Sequence, residues 1–587
     1  MEVTRLFDLL PHYAMQFPRE DALNGKENGI WRHYGIKQYV SIVNNISYGL
    51  MQLGIKKGDK IASVSSGRPE WNFLDMAIMQ LGAIHVPIYP TISESDYKFI
   101  LHNADVKMVF VSGWDILRKI ENILSEIPQL KDNVYTFRNL RGYRHLNEVI
   151  ELGIANPSPQ YLEDIKERIS PDDVATMIYT SGTTGTMKGV QLTHTNIIAN
   201  FKAILPIVPT HAQTKVLSYL PLCHIYERMM IYAWHYLGIP IYYAESLGTI
   251  AADLQDVKPT ILTTVPRLLE KFYDRFVATG RKLPKSKKKI FFWADEVASR
   301  YDIEGRTRKY DRQLRTARSL VLNKFKNALG GKIDVIVSGG AAIQPRLCRI
   351  FWAAGMPVLE GYGLTETSPV IAVSSFFKNG MKFGTVGQPL PGAEVKIGDD
   401  GEILTRGACV TQGYYNLPEQ TKEAIDEEGW FHTGDIGEFE PEGQLKITGR
   451  KKEMFKTAFG KYVVPTQVEG KFAEDSLIDN IMVVGENKKF AAALIVPNFA
   501  DLRSWCARKG ITYTTNEEMV KHPDVLKKYK KVADKCNAEL SETERVMKFI
   551  LIDYEWGIST GELTPTLKLK RRFIAEKYAD KIEELFV

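Results

Sequence analysis

The stretch from Tyr179 to Val190, Tyr-Thr-Ser-Gly-Thr-Thr-Gly-Thr-Met-Lys-Gly-Val, constrains the chain more than any other. Gly182, Gly185 and Gly189 let a backbone turn tightly and come close to an anion. Thr180, Ser181, Thr183, Thr184 and Thr186 bring hydroxyl donors, and Lys188 brings a positive charge. The apolar run Val174 to Tyr179 ahead of it reads as a buried strand. A glycine- and hydroxyl-rich loop at the carboxyl end of such a strand is where open α/β sheets bind nucleotides, so this loop is a candidate phosphate cradle. It is not a Walker loop. That motif places Lys directly after its second Gly, with Ser or Thr next, whereas Thr186 and Met187 separate Gly185 from Lys188 here. The same composition also suits a flexible surface loop, and the rest of the chain decides between the two.

A chain of 587 residues, 44% hydrophobic and 25% charged, is globular and too long for one core, which predicts two to four subdomains. No segment reaches the ~18 uninterrupted apolar residues of a membrane span, and Met1 to Glu20 lacks the charged-then-apolar order of a signal peptide. A cytoplasmic protein is expected. Cys223, Cys348, Cys409, Cys506 and Cys536 are scattered with no C-x-x-C pair, against both a disulfide framework and a zinc site. The net charge of +6 is unevenly spread. Between Arg281 and Lys332 sixteen Lys or Arg stand against five Asp or Glu, so the remainder is net acidic. Lys285, Lys287, Lys288 and Lys289 precede Ile290, Phe291, Phe292 and Trp293, and Arg308, Lys309, Arg312, Arg315 and Arg318 follow. The pattern fits a basic amphipathic helix near anionic lipid at the inner face of a membrane, and equally a solvated helical insertion. Nucleic acid is not the expected partner.

The fold class that follows is α/β. Ile61 to Ser65 and Met108 to Ser112 read as strands flanking a helix from Trp71 to Leu81, the spacing of parallel sheet with crossover helices. Val216 to Leu220, Ile261 to Val265 and Val335 to Val337 continue the strand series. The first ends in a polar cluster with His224, Glu227 and Arg228. His224 taken alone is as well explained by a structural histidine. The third enters Ser338-Gly339-Gly340-Ala341-Ala342, where glycine allows close approach to a flat ring. Strand Pro357 to Glu360 opens into Gly361-Tyr362-Gly363-Leu364-Thr365-Glu366-Thr367, which supplies an aromatic face, a hydroxyl and a carboxylate suited to magnesium. Hairpin signals at Asp399-Asp400-Gly401 and Pro441-Glu442-Gly443 predict a β subdomain. Within it Asp435 is placed to take ribose hydroxyls or to serve as a turn residue. Val483 to Val496 reads as a hairpin around Gly485-Glu486-Asn487, followed by a Lys-rich helical stretch to about Lys548. The chain closes on Thr564-Pro565-Thr566-Leu567-Lys568, where proline stiffens the approach to a lysine.

Seven segments in this order, Tyr179 to Val190, Tyr219 to Arg228, Ser338 to Ala342, Gly361 to Thr367, Gly429 to Asp435, Gly449 to Lys456 and Thr564 to Lys568, resemble the adenylate-forming superfamily over nearly the whole chain. Ser-Tyr-Leu-Pro-Leu-Cys-His-Ile-Tyr-Glu-Arg, the basic insertion after Gly280 and the ending Gly-Glu-Leu-Thr-Pro-Thr-Leu-Lys-Leu-Lys resemble its long-chain fatty acyl-CoA synthetases. The resemblance implies a large domain over 1–448 of α/β subdomains plus a β subdomain. It further implies a hinge over 449–452 centred on Lys452, and a small mobile α+β lid over 453–587. It implies that ATP, Mg2+ and a fatty acid give acyl-AMP and pyrophosphate, and that coenzyme A then displaces AMP.

The resemblance also implies residue roles. Lys568 bridges the substrate carboxylate and α-phosphate, Thr365 contacts that phosphate, and Glu366 holds magnesium. Thr180, Ser181, Gly182, Thr183, Thr184, Gly185 and Lys188 hold the outer phosphates. Gly339, Gly340, Ala341, Glu360, Gly361, Tyr362 and Gly363 surround adenine, and Asp435 and Arg450 fix the ribose. Gly460 leaves room for the pantetheine arm, His224 stands near the acyl pocket, and Arg228 falls where some long-chain enzymes carry a gate. Two departures are Leu567, where many relatives have glycine, and Met187, where many have proline. The competing functions are loading of an acyl group onto a carrier protein, and a non-catalytic fatty-acid-binding protein on the same fold.

Overall fold

The computed structural model describes residues 2–181, 187–564 and 567–586, with the side chain of Ser181 also outside the description. The chain divides into two compact units. One comprises Met1–Lys396, Leu404–Thr433 and Phe439–Leu445, and the other Ile397–Ile403, Gly434–Glu438 and Lys446–Val587.

Two large sheets build the first unit. One has eight strands in the order Gly413–Tyr414, Met187–Thr193, Val174–Ser181, Ile84–Ile88, Lys60–Val64, Val106–Val111, Val134–Thr136 and Arg144–His145. Its central pairings are parallel, Ala62 opposite Val86 and Val109. Parallel strands are covered on both faces, so they read as unbroken apolar runs, which is why these strands lie within about two residues of their expected positions. The other sheet has nine strands, and its parallel centre runs Val358–Gly363, Val335–Ser338, Ile261–Thr264, Val216–Ser218 and Ile241–Tyr243. The helix Pro69–Gln80, opened by proline at its first position, contacts strands of both sheets, Ile84–Ile88 and Leu23–Glu27. It is accordingly buried on almost every side.

Burial between two sheets leaves Asp75, on that helix, with no access to water. It is answered by Arg228 from the helix Ile225–Tyr236, also fully buried. Tyr232 donates to Asp75 at 2.6 Å, His85 Nδ1 lies 2.6 Å from it, and Arg228 further donates to Tyr232 at 2.7 Å and Thr176 at 2.6 Å. Burial pushes the Asp75 carboxyl up in pKa, but the Arg228 guanidinium and these hydrogen bonds outweigh it and hold the pKa below the usual range. Arg228, expected at a gate position, is therefore fastened inside the core.

The basic insertion is helical, with Lys285–Ser299, Arg308–Ala317 and Asn323–Ala328. Its apolar side, including Phe291, Val297, Leu314 and Phe325, packs with Leu347 and Phe351 in a core cluster of the first unit. Phe292 and Trp293 are half-buried, while Ile290 is exposed. All five cysteines are buried and unpaired. Among the described residues no helix is long and apolar enough to cross a membrane. A four-stranded sheet takes Ala393–Ile397, Glu402–Gly407, Phe431–Phe439 and Leu445–Arg450 in that order. The expected turns at Asp400 and Glu442 join its strands.

In the second unit a three-stranded sheet of Ile478–Val484, Ala491–Pro497 and Val546–Leu551 carries the core. The hairpin around Gly485 forms as expected, Val484 opposite Ala492. The expected helix to Lys548 does not. The Pro523–Asn537 helix ends earlier, and Asn537 clamps the return by bonding both the N–H and the C=O of Val546 at 2.9 Å. Val546–Leu551 then runs parallel to Ala491–Pro497 as an edge strand, with Met547 and Lys548 exposed, which is why it lacks an apolar signature.

Arg228→Met leaves Asp75 buried without its cation and is expected to cost about 3–5 kcal/mol. Removing both charges in Arg228→Met/Asp75→Leu should recover much of that loss in urea unfolding. Acid sensitivity follows from two other buried groups. Burial holds His194 and His235 at a pKa of about 4, whereas unfolded imidazoles protonate near ~6.5. Below that the unfolded state binds more protons, so stability is full above about pH 6.5 and falls as the pH approaches 4. Thermal melts across this window should show the decline, reduced in a His194→Gln variant.

Candidate active site

The glycine-rich stretch sits on an antiparallel hairpin of the first unit. Val174–Ser181 pairs with Met187–Thr193, placing Thr180 opposite Lys188 and Ser181 opposite Met187. Gly182, Thr183, Thr184 and Gly185 lie outside the described residues. A helix, His194–Ile204, follows directly, capped by Thr193. Its Asn200 donates to Thr367 O at 3.3 Å and Val370 O at 2.7 Å, and accepts from Val370 N. Asn196, one turn earlier, donates to Ala408 O and Val410 O. Two asparagines thus tie the hairpin to the segments around Glu366 and before Tyr414.

Thr365 and Glu366 begin a short 3-10 turn, Thr365–Thr367. The Glu366 carboxylate accepts the Tyr414 hydroxyl at 3.0 Å, and Lys188 Nζ stands 4.5 Å from the centre of the Tyr414 ring. Lys188 and Glu366 therefore share one neighbourhood, as their expected roles require. A carboxylate such as Glu366 suits Mg2+, which takes one or two protein carboxylates and completes its shell with phosphate oxygens and water. Tyr414, Asn196 and Asn200 went unmarked in the sequence. The only signals they left are a Gly-Tyr-Tyr run and an i, i+4 asparagine pair after a strand.

Gly339, Gly340 and Ala341 leave the carboxyl end of Val335–Ser338, which pairs in parallel with Val358–Gly363, Ser338 opposite Glu360. The two expected adenine segments are thus neighbours at the end of adjacent strands, where open sheets take ligands. Gly340 has φ +83°, and a side chain at Gly363 would strike Pro369 O at 1.7 Å. The strand runs through Gly361, Tyr362 and Gly363 rather than ending at Glu360, because Val370–Val373 folds back to pair with it, Tyr362 opposite Ala372. Glu360 is buried and accepts from Ile343 N at 3.1 Å. Burial pushes its pKa up to about 8, so it holds its proton near neutrality. His224 caps the Ile225–Tyr236 helix, its Nδ1 accepting from Tyr226 N at 3.1 Å. Tyr226 in turn donates to Val337 O at 2.9 Å and packs its ring beside Gly339. His224 therefore belongs to the same end of the sheet.

The remaining site residues belong to the second unit. Arg450 Nε donates to Asp435 Oδ1 at 2.8 Å, with Asp435 buried and Arg450 partly open. Lys451 N donates to Gly434 O at 2.8 Å and its ammonium pairs with Asp400 at 2.6 Å and Glu402 at 2.9 Å, fixing the backbone on both sides of the pair. Lys452 is exposed in the following turn. Gly460 turns between Phe455–Lys456 and Tyr462–Val463 at φ +74°, with open space where a side chain would point. Lys568 lies at an exposed position. Desolvation first and the Arg450 guanidinium second pull its pKa down, against Asp435 and Glu453. Three residues on, Arg571 grips Glu469 at 2.8 Å and Glu453 at 3.0 Å, which anchors the segment bearing Lys568. One unit thus holds Asp435, Arg450 and Lys568 within electrostatic reach of one another.

A family model described as AMP-binding enzyme matches residues 10–415, and one described as AMP-binding enzyme C-terminal domain matches 454–587. The chain is 34% identical over 573 residues to the long-chain-fatty-acid–CoA ligase FadD15 of Mycobacterium bovis, covering 95% of this chain and 93% of that protein. It is 32% identical over 568 residues to the peroxisomal long chain acyl-CoA synthetase 6 of Arabidopsis thaliana, covering 92% and 79%. Among solved structures, the adenylation domain of a carboxylate reductase from Mycobacterium chelonae superposes with a TM-score of 0.78 at 21% identity, covering 99% of this chain and 91% of that one. The anthranilate CoA ligase AuaEII, in complex with anthranoyl-AMP, does so with a TM-score of 0.72 at 18% identity, covering 98% and 97%. The chain belongs to the AMP-binding, adenylate-forming enzyme family, in its long-chain acyl-CoA synthetase branch.

Proposed function

We propose that this protein activates a long- or medium-chain fatty acid with ATP to acyl-AMP and pyrophosphate, then transfers the acyl group to the thiol of coenzyme A with release of AMP. What supports it most is the Asp435–Arg450 ion pair at 2.8 Å together with the electrostatic influence of both groups on the Lys568 ammonium. The names of the relatives supply the acyl class.

A carboxylate is a weak nucleophile and is repelled by a triphosphate, so catalysis must come from neutralising charge and aligning the attack. Lys568 supplies a cation between the two anions and so lowers the barrier to their approach. Asp435 and Arg450 orient the ribose, Asp435 through its carboxylate and Arg450 by holding that carboxylate in place. The neighbouring strand ends at Gly339 and Tyr362 give adenine a flat slot with an aromatic wall. Thr365 donates to the α-phosphate, Thr180 and Lys188 face the outer phosphates, and Glu366 is the ligand for Mg2+. When bound, Mg2+ neutralises the pyrophosphate leaving group. His224 lies toward the acyl side of the same sheet end. For the second half-reaction, residues 453–587 turn about Lys452, and the open side of Gly460 admits the pantetheine arm.

We add one surface to this reading, contact with anionic lipid through the basic insertion. Lys285, Lys287 and Lys289 are exposed on one helix beside exposed Ile290, and Lys285, Lys288, Lys289, Phe292 and Trp293 line a shallow cleft. Cations flanking aromatic groups suit a headgroup region, where the acyl substrate itself partitions.

Pyrophosphate release with MgATP should depend on added fatty acid, and acyl-CoA should accumulate when coenzyme A is supplied. In Lys568→Ala the release should fall by about 10²–10³. Release without acyl-CoA would redirect the thiol step to a carrier protein, and no release with any acid would leave a binding protein. Neutralising Lys287, Lys288 and Lys289 to Gln should weaken sedimentation with anionic vesicles while leaving activity on detergent-dispersed acid unchanged. Unaltered sedimentation would remove the lipid contact.

A further inference from the structure

Tyr414 has none of the roles given above, yet it touches two of the groups that have them. Its hydroxyl donates to Glu366 Oε1 at 3.0 Å, and the face of its ring receives Lys188 Nζ at 4.5 Å from the centroid. The residue is buried, and its backbone is fixed on all sides. It pairs with Val190 in the eight-stranded sheet, takes a hydrogen bond from its own N–H to Thr421 Oγ1 at 3.0 Å, and is followed by Tyr415, whose N–H donates to Gly189 O at 2.8 Å. Thr411 N donates to the backbone oxygen of Glu366 at 2.8 Å. The ring therefore cannot swing away from either partner.

A cation over a ring and a carboxylate at its hydroxyl are complementary ends of one side chain. One side chain thus touches both the Lys188 ammonium, through its ring, and the Glu366 carboxylate, through its hydroxyl. We infer that Tyr414 is a positioning residue that holds Lys188 and Glu366 at a fixed spacing to receive the magnesium-bound β- and γ-phosphates of a nucleoside triphosphate. The inference rests on the nucleotide chemistry proposed above and adds a prediction of its own. Tyr414 discriminates MgATP from AMP, because AMP carries no phosphate that reaches the spaced pair.

The test is calorimetric binding of MgATP and of AMP to the full-length chain without fatty acid, for the parent, Tyr414→Phe and Tyr414→Leu, together with the Mg2+ dependence of pyrophosphate release. Tyr414→Phe keeps the ring and loses the hydroxyl. It should raise the Mg2+ needed for half-maximal release, and the Kd for MgATP, by about three- to tenfold. Tyr414→Leu also loses the ring face and should weaken MgATP by about a further threefold. Neither should change the Kd for AMP. MgATP affinity and Mg2+ dependence equal to the parent in Tyr414→Phe would overturn the inference, as would an equal loss of AMP affinity, which marks a general packing defect. Should Tyr414→Leu not fold, Tyr414→Phe decides alone, since it preserves the packed ring. A parent that binds MgATP but releases no pyrophosphate with any acid would sink the proposed reaction while leaving the binding comparison intact.

Discussion

The structure depends first on a charge pair that has no water. Asp75 and Arg228 meet between the two large sheets, each at zero exposure. Burying either alone is costly, whereas together with Tyr232, His85 and Thr176 they satisfy one another. Apolar side chains would fill that space as well, but they would tolerate sliding. A fork of guanidinium hydrogen bonds to groups on two helices and a strand admits one arrangement. The consequence reaches the site, because Arg228 lies one turn along the helix that His224 caps and from which Tyr226 reaches the strand end at Gly339. Fixing Arg228 fixes the orientation of that helix and hence the wall beside the ring slot.

A second layer of polar ties turns three distant stretches of chain into one block around Glu366 and Lys188. Asn196 and Asn200 act as two-sided clamps, each holding carbonyls from a segment about 170 or more residues away in sequence. Tyr414 completes the block through Glu366 and Lys188. Ties of this kind hold side chains in place in advance, so that a ligand meeting them would need little further ordering.

The parts of this architecture legible in the sequence are those where one local pattern has one physical cause. Strands such as Val106–Val111 are covered on both faces and so spell themselves out as apolar runs. Glycines forced by positive φ or by a close carbonyl, as at Gly340 and Gly363, mark their own turns. The glycine-rich segments after Ser338 and Glu360 were legible for the same reason, since each follows an apolar core strand. What stayed hidden depends on partners far along the chain. Val546–Leu551 carries Met547 and Lys548 outward because it is an edge, which no window of its own sequence reveals. Tyr414 carries no distinguishing local pattern until Glu366, 48 positions earlier, is brought to its hydroxyl. Arg228 reads as a gate position until the second sheet closes over it.

Leu567 stands at φ +62°, where a leucine backbone is held at a cost of roughly 1–2 kcal/mol that glycine would not incur. The surrounding turn is closed by Leu567 N to Thr564 O at 2.8 Å and by Thr564 N to Lys568 O at 2.8 Å. Glycine at this point would be a swivel, free to pass between the two hands of φ. Leucine makes it a ratchet tooth, seated in one narrow well with steep sides. The lysine that follows is thus aimed by its own backbone, and it travels as a fixed fitting on whatever carries it. Any change in the direction of that charge has to originate at other residues, where the backbone turns at no such cost.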